Sequence, residues 1–165
     1  MTPDDAVRSA LCTQMGREFA AHFQYLAMSA WFEQEGLPEI AGFFARQATE
    51  EHGHAMKMFR YVLDTGGPVE IPGQEPPVST FADAEAVVTA ALAQEEMVTT
   101  WIDELVHLAR EHRDVASETF LQWFVTEQVE EVATMNELLQ VVRRAGNTNL
   151  LLVEDYVVRR QPAAG

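Results

Sequence analysis

Four apolar stripes in this chain are each interrupted by acid, and that pattern is the one most able to do chemistry. Leu11, Glu18, Tyr25 and Phe32 stand seven residues apart, so on a helix they project from nearly one face. A three-four spacing puts Ile40, Phe44, Gln47, Glu51, His54, Met58 and Tyr61 on one side of a second helix. The same spacing aligns Val88, Leu92, Glu95, Val98, Ile102 and Leu105 on a third, and Leu121, Phe124, Gln128, Glu131, Met135, Leu138 and Val142 on a fourth. Carboxylates gathered in an apolar layer repel one another and lose hydration, at a cost of several kcal/mol per ion unless a positive charge compensates. No Lys or Arg lies on these stripes. A divalent or trivalent metal supplies that charge, and an oxygen-rich set with one imidazole suits iron or manganese better than a Cys-rich zinc site would. With bridging carboxylates, two ions about 3.5 to 4 Å apart are expected.

Counting from the turns tests whether the four sets share a height. Glu18 is about 18 residues before Gly36, and Glu51 and His54 are about 15 to 18 after it; Glu95 and Gln128/Glu131 flank the turn near Arg113 in the same way. Glu18 to Glu51 and Glu95 to Gln128 are both separations of 33 residues, so the two halves read as divergent copies of one unit. Around this core set the reading stays open. Tyr25 is either a core tyrosine with a bonded hydroxyl or a participant at the metals. Glu50, Glu127 and Glu130 lie one residue off the stripes and are either a solvated face or ligands. Trp123 and the methionines read as packing. His22, His52, His107 and His112 carry no spacing that makes a site, and His52 is expected to be exposed.

The elements that must position these residues are long helices. Cap, proline and glycine signals predict helices over about 3–35, 38–65, 83–112 and 114–145, with a short fifth over about 149–160, and no strand. The short connections at Gly36 and near Arg113 make two antiparallel hairpins. Between them, Gly66 to about Ala82 contains Pro68, Pro72, Pro76 and Pro77 and reads as an extended linker. About 16 residues at roughly 3.3 Å each reach about 50 Å, more than the roughly 42 Å of a 28-residue helix. The linker can therefore travel a full helix length and let the third helix run parallel to the second. The fifth helix is too short to stand alone, and its apolar side (Leu150, Val153, Tyr156, Val157) is expected to pack between subunits. The chain is read as one domain, residues 1–165: an all-α four-helix bundle with a long crossover between the second and third helices.

Composition narrows the function further. The 165 residues suffice to bury roughly 70% of the unfolded surface without a staple. Eleven Lys+Arg against 26 Asp+Glu give a net charge of -15, which opposes a nucleic-acid partner because phosphate neutralisation needs clustered cations. Cys12 is the single cysteine, so no intrachain disulfide forms and a reducing compartment is expected. With no secretory-type start and no run of about 18 apolar residues, no membrane association and a cytoplasmic location are expected.

The sequence resembles the bacterial non-haem ferritins over nearly its whole length. Glu50-Glu51-His52-Gly53-His54 is similar to the family's second-helix motif and Gln94-Glu95 to its third-helix ligand segment. Leu121-Gln122-Trp123-Phe124 with Glu127-Gln128-Val129-Glu130-Glu131 is similar to its fourth-helix signature. The resemblance implies a first iron held by Glu18, Glu51 and His54, with Glu51 bridging to a second iron near Glu95, Gln128 and Glu131. It implies a third site from Glu50, Glu127, Glu130 and Glu131, and Tyr25 beside the diiron centre. It further implies a ferroxidase that oxidises Fe(II) with dioxygen or peroxide and stores Fe(III) mineral in a homo-oligomeric cage of 24 subunits. Bacterioferritins repeat Glu-x-x-His in the fourth helix, where this chain has Gln128-x-x-Glu131, and carry a haem-ligand methionine where it has His52. Haem is therefore not expected. A small diiron or dimanganese redox enzyme, peroxidase-like and storing nothing, is the alternative. A metal-free interaction bundle is the third reading.

Overall fold

The computed structural model describes residues 4–160, and among these there are five helices and no strand. They are α1 (Asp5–Gln34), α2 (Pro38–Asp64), α3 (Ala84–Glu111), α4 (Val115–Ala145) and α5 (Leu150–Arg160). The expected start of the first helix at Pro3 lies outside the described residues. Three helices are capped by an aspartate whose side chain accepts from a first-turn amide: Asp4 from Ala6, Asp83 from Ala86 and Asp114 from Ser117. Gly36 enters the left-handed region between α1 and α2 at φ 74°. Arg113 adopts the same conformation between α3 and α4 at φ 56°, where its Cβ carries a strain that glycine avoids.

Side-chain contacts set the helix directions. Asp4 meets His112, Arg17 meets Trp101 and Tyr25 meets Glu95, so α1 runs antiparallel to α3. Tyr61 meets Ser117 and His54 meets Phe124, so α2 runs antiparallel to α4. Helices α2 and α3 are therefore parallel, as the linker length requires. The linker lies along α1. Arg8 donates to the Pro68 carbonyl at 3.2 Å, and Gln24 exchanges two hydrogen bonds with the Val78 backbone at 2.8 and 2.9 Å. A Cβ on Gly16 would come within 2.8 Å of the Pro72 ring, which explains a glycine in mid-helix: the crossing chain needs its hydrogen as the side chain.

Helix α5 differs from expectation. Its Val153 and Val157 are buried in the core of their own bundle, while Leu151 and Leu152 stay exposed. Glu154 explains the docking. Helix α2 begins at Leu37-Pro38 with no side-chain cap of its own, and the Glu154 carboxylate accepts from the Glu39 and Ile40 amides at 3.0 and 2.9 Å. An anion there also suits the positive end of the helix dipole. Spacing within α5 cannot reveal a cap acting 115 residues away. Glu154→Ala is expected to cost about 0.5–2 kcal/mol, which a melting curve reads as a few degrees. Truncation after Gly146 is expected to cost more, because burial of Val153 and Val157 is worth about 1.5–3 kcal/mol each. A truncated chain that melts like the full one would remove α5 from the core.

The core has two ends. One cluster includes Tyr25, Phe44, Ala48, Ala91 and Met135; the other includes Met15, Ala55, Val98 and Phe124. On every long helix the acids of the stripe, together with His54 and Gln128, fall between them, whereas Gln47 sits within the first cluster's stretch of α2.

Candidate metal centre

The layer between the two apolar clusters holds Glu18, Glu51, His54, Glu95, Gln128 and Glu131, all buried. They are there because the apolar residues of each stripe must face inward, and a polar residue on the same spacing is carried in with them. Ligand atoms of Glu18, Glu51 and His54 lie within 4.8 Å of one another. His54 Nδ1 is 3.4 Å from Glu51 Oε2 and 4.0 Å from Glu18 Oε2. Those two carboxylate oxygens are fully buried and have no hydrogen-bond partner. A bare buried anionic oxygen costs several kcal/mol, and two of them beside an imidazole fit a cation.

Glu95 is held differently. Tyr25 donates its hydroxyl to Glu95 Oε1, and Gln128 donates to Oε2 and to the Glu95 carbonyl, each at 3.2 Å. Tyr25 is thus a buried tyrosine with a bonded hydroxyl that also touches the acid layer. Its phenol is pushed well above the usual range by burial and then by the charge of Glu95, so it stays protonated. Burial raises Glu18, Glu51 and Glu95 as well; repulsion from Glu51 adds to the first, and repulsion from Glu95 to the second. Glu131 is pushed up to about 8 by burial, then by Glu95, Glu50 and Glu127. Every acid of the layer therefore resists ionisation until a cation arrives.

The structure divides the three off-stripe acids. Glu127 joins His54 and Glu131 in a second group with ligand atoms within 4.8 Å. Glu50 accepts from Gln47 and raises the pKa of Glu131, while its own carboxyl is raised chiefly by burial. Glu130 is exposed and belongs to neither close group, but it lines a groove of about 950 Å³ together with Glu50, Glu127 and Glu131. That groove opens the inner acids to solvent along the α2/α4 face.

Two contributors escaped the sequence reading. Gln14 is buried one turn before Glu18 and donates to Glu18 Oε1 at 2.8 Å; Arg17 in turn donates to the Gln14 oxygen at 3.2 Å. Its place on the same face as Leu11 and Glu18 was the available signal. Thr99, one turn after Glu95, donates to the Glu95 carbonyl at 2.8 Å and accepts from Gln128 at 3.4 Å. Trp123 packs at the solvent edge of the layer, against Phe124 as well as His54. It is 38% exposed, sits edge-on to His54 with ring centroids 5.4 Å apart, and carries Lys57 Nζ 4.0 Å above its ring.

Comparison with known proteins gives this layer a family. The ferritin-like domain model matches residues 8–145. The chain belongs to the ferritin family. This ferritin is 41% identical over 162 residues to Ferritin BfrB of Mycolicibacterium smegmatis, spanning 98% of this chain and 89% of that one. It is 35% identical over 138 residues to a bacterial non-heme ferritin of Staphylococcus aureus, spanning 84% of this chain and 83% of the relative. Among solved structures it is similar to an open-pore ferritin from the hyperthermophilic archaeon Archaeoglobus fulgidus. The TM-score is 0.93 at 33% identity, over 98% of this chain and 100% of that one. The crossover, the two hairpins and α5 are thus those of a ferritin, and among the described residues no helix is long and apolar enough to cross a membrane.

Proposed function

We propose that this ferritin, as a single 165-residue unit, stores iron by oxidising Fe(II) in the acid layer and passing Fe(III) along the α2/α4 groove into a 24-subunit shell. The observation that carries the reading is the pair of bare buried oxygens of Glu18 and Glu51 beside His54. In this reading Glu18, Glu51 and His54 take one Fe(II). Glu51, Glu95, Gln128 and Glu131 take the second. Loading displaces the protons that burial keeps on these acids. Two Fe(II) then surrender one electron each to a single dioxygen or peroxide, giving hydrogen peroxide or water. Tyr25 steadies Glu95 and places an oxidisable phenol at the centre. Gln128 is neutral where a carboxylate would bind more tightly, which makes the second position the weaker and favours release. The lone buried Cys12 suits a cytoplasmic setting, where it stays reduced.

Glu50, Glu127, Glu130 and Glu131 form the exit in this reading. A site reached by water holds iron less tightly than the buried layer, so it serves as a station between centre and mineral. Changing Glu50 and Glu130 together to Ala is expected to preserve the first oxidation of two irons per chain and to slow later turnovers. Sequential iron additions in stopped flow check this. A double variant that turns over like wild type, with metal-soaked crystals holding only two irons per chain, would make these acids plain surface.

Light scattering with iron analysis on the same purified sample tests the whole reading. A shell of hundreds of kDa that retains far more iron than two per chain is expected. A small oligomer that oxidises iron and retains none would instead be the diiron or dimanganese redox enzyme.

A further inference from the structure

The two oxygens of Glu18 have different surroundings. Oε2 faces His54 Nδ1 at 4.0 Å and has no hydrogen-bond partner, whereas Oε1 accepts from Gln14 Nε2 at 2.8 Å. Gln14 is itself fully buried, and its oxygen accepts from Arg17 Nη1 at 3.2 Å. The Arg17 guanidinium is centred 4.0 Å from the middle of the Trp101 ring on α3. A chain of contacts therefore runs from half-buried Arg17 and Trp101, at the α1/α3 face, through Gln14 to the acid layer.

The chemistry of each group fixes the direction of the links. A guanidinium only donates, so the amide atom turned to Arg17 is the oxygen, and the amide NH2 is left for Glu18. A flipped amide would set NH2 against the guanidinium and oxygen against the carboxyl, losing both bonds. Stacking on Trp101 limits the freedom of the guanidinium. The fold does not call for an amide here, because an apolar side chain of similar volume would fill the same place beside Leu11. One turn before Glu95, the place is taken by Ala91, and Glu95 has both oxygens engaged by Tyr25 and Gln128 from other helices. Glu18 is instead held by one oxygen with the other left free.

We infer that Gln14 and Arg17 are positioning residues for iron: Gln14 pins Glu18 by Oε1 so that Oε2 is aimed at the ion, and Arg17 acts through Gln14 by fixing its amide. The inference rests on the reading of Glu18 as an iron ligand. A carboxylate already fixed in place gives up less side-chain freedom when the ion binds. Partners that orient a ligand in this way are worth about 10- to 100-fold in metal affinity.

Titration of the full-length, iron-free protein with Co(II), followed by visible absorption, tests this together with the Fe(II) dependence of the oxidation rate. Gln14→Met is expected to weaken Co(II) binding about 10- to 100-fold and to raise the half-saturating Fe(II) by a similar factor, with a much smaller loss of rate at saturating Fe(II). Arg17→Met changes a half-buried side chain and is expected to weaken Co(II) binding about 2- to 10-fold, the worth of one hydrogen bond. Because Arg17 acts through Gln14, the double variant should bind Co(II) no more weakly than Gln14→Met alone. Glu18→Ala, as the reference, should abolish the tight Co(II) site. A purely structural role would lower the melting temperature and leave Co(II) affinity unchanged. Wild-type Co(II) affinity in folded Gln14→Met or in Arg17→Met would overturn the inference, as would additive losses in the double variant. A tight Co(II) site that survives Glu18→Ala would overturn it by removing Glu18 from the centre, which separates failure of the ligand from failure of its positioning.

Discussion

Replacing Glu51 with Ala is expected to lower the initial rate of Fe(II) oxidation by at least about 100-fold while the metal-free protein melts at the same temperature or higher. Glu51 stands in the close group with Glu18 and His54 and is repelled by Glu95 and Glu131, so it is the acid most able to serve two ions. Without metal it is a liability: one of its oxygens is buried and unpaired. Truncation leaves a small cavity, worth roughly 1–3 kcal/mol, but relieves a buried acid whose penalty is several kcal/mol. The second effect wins or balances. Glu18→Ala should abolish oxidation equally but give a smaller gain in melting temperature, because it strips Gln14 Nε2 of its acceptor. Stopped-flow absorbance and calorimetry of metal-free samples read both quantities. Wild-type oxidation by either variant would remove these residues from the centre.

The second large effect is the pH dependence of the metal-free bundle. Glu131 has a folded-state pKa of about 8 against an ordinary 4.5, and burial raises Glu18, Glu51 and Glu95 in the same direction. Between the two values the unfolded chain has released the proton and the folded chain still holds it. The stability contributed by Glu131 is therefore fully present below about pH 4.5 and is lost as pH rises through about 8; the other three acids act in the same direction. Stability should accordingly fall from pH 5 to pH 8 without metal, by on the order of a few kcal/mol, and the melting temperature should fall with it. Glu131→Gln should flatten part of that slope. A divalent cation should reverse it, since binding needs the ionised acids and occurs only in the folded state. A metal-free melting temperature that does not fall over this range would mean that the layer is already neutralised by some other route.

Much of this architecture is legible in the amino-acid sequence. A helix of 3.6 residues per turn converts seven-residue spacing into a face, so Leu11, Glu18, Tyr25 and Phe32 had to be buried together, and they are. Short connections force antiparallel hairpins, and equal distance from a turn means equal height. That is why Glu18, Glu51, His54, Glu95, Gln128 and Glu131 could be assigned to one layer from numbering alone. Periodicity is a property of one helix at a time, and these inferences needed nothing more.

What the numbering could not supply depends on how separate elements meet. Whether the linker followed α1 or α2 was undetermined by its length; the contact of Pro72 with Gly16 settles it. Helix α5 has an apolar side that any hydrophobic surface would satisfy, and it docks on its own bundle where Glu154 caps the uncapped start of α2. Glu127 is one residue off its stripe, yet the rotation of α4 against α2 brings it to His54. Tyr25 and Gln128 take the two oxygens of Glu95 through hydrogen bonds, which depend on side-chain rotamers and a few tenths of an ångström. His22 and His52 lie 30 residues apart with no shared period, and only the side-by-side packing of α1 and α2 brings their rings within 5.6 Å. Stripes follow from helical geometry and the hydrophobic effect, which act along a single chain segment; partners follow from the rotation and register of packed helices, which no single segment contains.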